Sequence, residues 1–172
     1  MLGLRNRRRL ETERAGKILY AAAVAAAREL SLYATLGVPD TLDGRFDLVT
    51  LHAFLLVHRL RDDPELAQAV FDAMFVDMDN NLREIGVSDL SVGKRVRAMW
   101  EAFHGRSKAY EAALQTNDSE ALAAALARNV WRGDAPAGAA TALSERVLAQ
   151  SAHLEAQPLS AFTSGQIRFL AS

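Results

Sequence analysis

This chain of 172 residues contains no cysteine, so disulfide scaffolds, thiolate zinc or iron-sulfur centres and cysteine nucleophiles are excluded together. Four prolines and ten glycines are too few for a collagen-like or low-complexity chain. No apolar run is long enough to span a bilayer: the best, residues 18–27 between Lys17 and Arg28, has ten residues against the roughly 20 required. That run imitates a signal-peptide core. However, Glu11 and Glu13 interrupt the basic segment before it, alanine dominates it, and Arg28-Glu29 continue a helical pattern instead of opening a cleavage segment.

What is present is ordinary for a compact intracellular domain, with 50% hydrophobic and 24% charged residues. A single domain of this length buries roughly 70% of its unfolded surface, so it needs no covalent staple. The charge is close to balanced overall and uneven along the chain. Residues 1–17 hold six basic side chains against two acids, residues 62–89 hold eight acids against Arg83, and residues 94–108 hold five bases against Glu101. Such blocks read either as solvated helix faces or as a polarised docking face. The organisation expected is a basic segment over 1–17 followed by one helical domain over 18–172.

Apolar residues recur at spacings of three and four almost throughout, and nothing alternates like a half-buried strand, which predicts an all-α, single-domain bundle of about six helices. The first runs from about residue 9 or 11 to 31 and is followed by a long loop over 33–45 that holds Gly37, Pro39 and Gly44. A second covers 47–61. Asp63-Pro64-Glu65 supplies the N-cap, N1 proline and first-turn acid of a third, which reaches about Ile85 and stops at Gly86. A fourth covers 91–115. Asn117 with Glu120 resembles a capping box opening a fifth over 118–132, and a sixth covers 139–157. After Pro158, residues Phe162, Ile167, Phe169 and Leu170 show no clear period. They are expected to pack back onto the bundle or to form a partner-binding edge.

The segments that approach known catalytic or metal motifs each break at a required position. Six residues, not four, separate Gly86 from Gly93, and Arg95 stands where a phosphate loop needs Ser or Thr. Asp77-x-Asp79-x-Asn81 starts like a calcium loop, but Leu82 and Ser88 occupy its glycine and glutamate positions. His52 and His58 lie about 240° apart around one helix and cannot share a metal ion; each reads as a helix-face or core histidine. No nucleophile motif or cofactor fingerprint occurs. The reading is a non-enzyme with no catalytic residue, metal or cofactor.

Polar motifs remain where the helical pattern does not need them: Pro39-Asp40-Thr41, Gly44-Arg45-Phe46, Leu51-His52, Arg83-Glu84-x-Gly86-Val87-x-Asp89-Leu90 and Gly105-Arg106-x-x-x-Tyr110. In this order they resemble the ubiquinol-cytochrome c chaperone family, best over residues 18–115. The resemblance implies a helical, non-catalytic assembly factor of a bacterial kind. It would bind newly made cytochrome b and assist assembly of the respiratory ubiquinol-cytochrome c reductase complex. It also implies a cytoplasmic location, peripheral at the inner membrane, with a ribosome and a small protein partner as further contacts; nothing points to DNA.

Partner-binding candidates are Tyr33, Asp40, Arg45, His52, Arg83, Glu84, Asp89, Lys94, Arg106 and Tyr110, and the corner residues Asp40, Asp43, Arg83 and Asp89 also suit ties between loops and helix ends. Arg5, Arg7, Arg8 and Arg9 form a basic contact for an anionic membrane surface or ribosomal RNA. A chaperone also needs apolar surface, for which Phe71, Met74, Phe75 and Met78 are candidates, although a Met/Phe stripe at helical spacing is ordinarily core. The competing reading is a helical module holding a small amphipathic ligand or lipid. An enclosed apolar cavity would favour the ligand, and an open groove beside a basic rim would favour a protein client.

Overall fold

The computed structural model describes residues 2–171, with side chains from Asn6 onward. It is 78% helical, and the described residues form eight helices and no strand. Six are long: α1 (Leu2–Ala27), α3 (Leu42–Arg59), α4 (Pro64–Glu84), α5 (Asp89–Thr116), α6 (Ser119–Val130) and α7 (Ala139–Ala156). Two have five residues each, α2 (Leu30–Ala34) and α8 (Leu159–Thr163).

Helix α3 is the hub. It packs against α1, α4, α5, α6 and α7, and ten of its residues are buried, from Gly44 through Leu56. A helix apolar on nearly every side can only be stable inside such a ring of neighbours. Around it α4 shows how local sequence sets a boundary. The Asp63 carboxylate accepts the Leu66 N–H at 3.2 Å and Pro64 takes the first turn. At the other end Gly86 turns the chain at φ +84°, and the Val87 N–H closes onto the Leu82 carbonyl at 3.0 Å. The buried face of α4 repeats every four residues, Leu66, Val70, Met74, Met78 and Leu82, so it winds around the helix and meets neighbours on more than one side.

Three expectations need correction. The first helix begins at Leu2, well before residue 9, because the exposed pairs Arg7–Glu11 (3.0 Å) and Arg9–Glu13 (2.8 Å) support helix where no apolar period exists. The long loop over 33–45 is absent. α2 ends at Ala34 and α3 starts at Leu42, capped by Thr41 accepting the Gly44 N–H at 3.1 Å, so irregular backbone covers only 35–41. Leu32, Leu36 and Val38 are buried there, and this burial fixes a single-turn helix too short to show a period. Finally, Asn117 does not cap α6: it ends α5 in the left-handed region at φ 51°, and Asp118 is the cap, accepting the Ala121 N–H at 2.9 Å.

After Pro158 the chain packs back onto the bundle. Phe162 on α8 is fully buried beneath the Arg59 guanidinium, 5.0 Å from its ring centre, while Arg59 also donates to the Leu154 and Gln157 carbonyls at 3.0 and 2.9 Å.

Candidate functional site

A groove of about 1360 Å³ opens between α1 and α4. The two helices cross at Gly16, where an added Cβ would lie 2.6 Å from the Ala69 backbone, so only glycine permits this approach. The α1 wall carries Arg8, Arg9 and Lys17 with Glu13 among them; the α4 wall carries Glu65, Asp72 and Asp77. Ala69, Ala73 and Val76 add apolar surface, Val76 being 60% exposed. Arg8 reaches Glu65 at 3.5 Å across the groove. The Tyr20 hydroxyl donates to Asp77 at 2.7 Å, and burial with this carboxylate drives its pKa far up, so the phenol stays a donor. The arrangement suits a segment that is apolar along its middle and bears charges of both signs.

The sequence-derived candidates do not converge on this groove. Tyr33 is half-buried and donates to the Ala27 carbonyl at 2.9 Å, tying α2 to the end of α1. Arg45 and Asp40 pair with each other at 2.6 Å on the surface. Arg83 bonds Asp79 at 2.6 Å and also Asp89, closing the α4–α5 corner, where Glu84 and Lys94 are exposed. His52 and Tyr110 are buried and present no side chain to solvent. His52 Nδ1 lies 2.8 Å from the Leu48 carbonyl and its ring meets Phe169 edge-on at 5.6 Å. Tyr110 packs on Phe54 at 5.5 Å, and burial pushes its phenol up to about 12. Arg7, Arg8 and Arg9 are exposed along the first half of α1; the side chain of Arg5 lies outside the described residues. The boundary at residue 17 falls within this continuous helix, with Ala15 buried before it.

Of the Met/Phe stripe, Met74 and Met78 are core, whereas Phe71 and Phe75 are half-buried in an aromatic cluster with Phe103 and His104 that ends at Trp100, 46% exposed. Sequence reasoning missed the network around Asp47. This carboxylate is 1% exposed and accepts from Arg106 on α5 and Arg132 after α6, while Arg106 also stacks over Phe46 at 5.9 Å. Burial pushes its pKa up and the two guanidiniums pull it back. Arg132 itself sits at φ +58°, and nothing local in the sequence marks it. The walls of the groove could have been suspected, since the basic block of 1–17 and the acidic block of 62–89 are both plain in the sequence.

Among the described residues no group of three or more His, Asp or Glu side chains could hold a metal ion, and no helix is long and apolar enough to cross a membrane. The fold is an all-α bundle with an open groove between its first and fourth helices. The chain belongs to the ubiquinol-cytochrome C chaperone family, whose model matches residues 34–169. It is similar to the Cbp3 homolog from Brucella abortus, whose crystal structure superposes with a TM-score of 0.87 at 37% identity, covering 99% of this chain and 96% of that one. No curated protein matches it.

Proposed function

We propose that this protein is a non-catalytic assembly factor that binds newly made cytochrome b of the ubiquinol-cytochrome c reductase complex in the groove between α1 and α4. Membership of the chaperone family supports the class of client. The observation that carries the reading is the contrast between two openings: the one between α1 and α4 is an open groove of about 1360 Å³ with basic and acidic walls, whereas the one between α3 and α7 is about 10 Å³. The smaller space holds at most one water, so it lends no support to an interior lipid or amphipathic ligand. The groove offers apolar contact along Val76 and opposite charges on its walls, which suits a membrane-protein segment before insertion is complete. The exposed Arg7, Arg8 and Arg9 would keep the protein peripheral to an anionic membrane surface or to the ribosome during this handover.

The test is recovery of cytochrome b with the tagged protein from respiring cells, together with quantification of complex-bound haem in cells lacking it. Selective recovery and loss of the haem signal are expected. An unaltered complex with no cytochrome b on the tagged chain would overturn the proposal.

A further inference from the structure

Residues 166–171 run extended and alternate, with Ile167 and Phe169 turned inward and Gln166, Arg168 and Leu170 exposed. No strand lies beside them. Instead, two glutamine side chains, Gln150 on α7 and Gln157 at its C-terminal cap, take the part of one. The Arg168 N–H donates to Gln157 Oε1 at 2.9 Å and its carbonyl accepts from Gln157 Nε2 at 2.8 Å. The Leu170 N–H donates to Gln150 Oε1 at 2.9 Å and its carbonyl accepts from Gln150 Nε2 at 2.9 Å. Gln150 lies within the last two turns of α7 and Gln157 immediately follows its last residue, so the two carboxamides meet alternate residues of the segment. With the segment in place Gln150 is buried and both ends of its carboxamide are satisfied by the Leu170 main chain.

These contacts read main chain rather than sequence. Within the segment the amides bond the backbones of Arg168 and Leu170, Gln157 Nε2 also reaching the His153 carbonyl at 3.3 Å, while specificity rests on Ile167 and on Phe169 against the His52 ring. The segment is also set off by a turn. Gly165 has φ +71°, and a Cβ there would lie 2.8 Å from the Ile18 side chain. An extended strip that is held by two backbone-directed amides and two apolar side chains is interchangeable with another of the same pattern.

The geometry points to a second binding site, the face between α3 and α7, for an extended peptide with apolar residues two apart, and to residues 166–171 as its displaceable occupant. That an unassembled client supplies such a peptide rests on the proposed function; the peptide site itself does not. Because the occupant is tethered, it competes at an effective concentration in the millimolar range, and a free peptide gains the site only when the strap is released.

The experiment uses a fluorescent synthetic peptide of residues 165–171 and anisotropy titration against the full chain. Ile167→Asp with Phe169→Asp releases the strap while keeping the chain whole. This variant is expected to bind the peptide about tenfold or more tighter than the parent, and adding Gln150→Leu and Gln157→Leu should abolish the gain. A peptide with the same apolar alternation but otherwise different sequence should bind comparably, and one with both apolar residues changed to Asp should not. A folded, strap-released variant that binds no peptide, or binds equally without the two glutamines, would overturn the inference. Should that variant fail to fold, hydrogen exchange on the parent decides the question: excess peptide must accelerate exchange of the Arg168 and Leu170 amides, and unchanged rates would defeat the proposal. Peptide binding without cytochrome b recovery would leave this site standing and remove the assembly role.

Discussion

His52 shows how one buried titratable side chain ties stability to pH. Its Nδ1 bonds the Leu48 carbonyl, and Phe169 covers the ring. Burial holds its pKa below the ordinary 6.5, with Glu29 pulling it upward and Arg146 on α7 pushing it further down. The folded state therefore binds fewer protons than the unfolded one below pH 6.5. Stability is full above that pH and falls as pH drops from 6.5 toward the depressed folded value, by up to about 1.4 kcal/mol per unit per histidine. His58, also depressed by burial and by Arg61, adds in the same sense. Urea midpoints taken at pH 7.5, 6.5 and 5.5 should fall, and His52→Gln, which can still donate to the Leu48 carbonyl, should show a shallower decline. An unchanged decline would mean that His52 is not the group titrating. The Leu51-His52 motif was legible, with a core or helix-face histidine and a binding surface both open; the sequence did not choose the core, because the residue that covers His52 comes from the far end of the chain. Asp47 teaches the same lesson: it reads locally as a helix-start acid, and its two arginines arrive from α5 and from beyond α6.

At the level of elements, the α1–α4 crossing sets two effects against each other. Replacing Gly16 by alanine would favour helix by about 1 kcal/mol. The new Cβ would meet the Ala69 backbone at 2.6 Å, and backbone cannot rotate away as a side chain can. Overpacking of this kind costs typically 1–3 kcal/mol, so Gly16→Ala should destabilise the fold by about 1 kcal/mol and lengthen the Tyr20–Asp77 hydrogen bond that closes the same interface. Denaturant unfolding measures the first effect, and a stabilised variant would show that the helices do not approach so closely. Elements with local signals were the legible ones: Asp63 and Pro64 start α4 and Gly86 ends it. The start of α1 rests on surface ion pairs without apolar period, and α2 rests on burial of Leu32 by distant parts of the chain, so neither announces itself within a short window.

Over the whole molecule the charge is nearly balanced, yet the fold sets a basic wall of α1 against an acidic wall of α4 across the groove. Each block was visible in the sequence; their apposition required the helix pairing that Gly16 makes possible. The pairs on these walls are exposed, and Arg8–Glu65 spans 3.5 Å, so they contribute little to folding. Their field acts on whatever enters the groove. Reversing Arg8, Arg9 and Lys17 to glutamate should leave the thermal midpoint almost unmoved while lowering recovery of cytochrome b about tenfold, in line with the loss of a few charge contacts. Recovery by the unaltered protein should also decline as salt is raised from about 0.05 to 0.5 M, as screening shortens the reach of the field. Reversal of Arg95, Arg97 and Lys108, three bases exposed on α5 away from the groove, serves as the matched control and should change recovery little. Equal losses from both sets would show that overall charge governs capture and that the α1–α4 groove does not select the client.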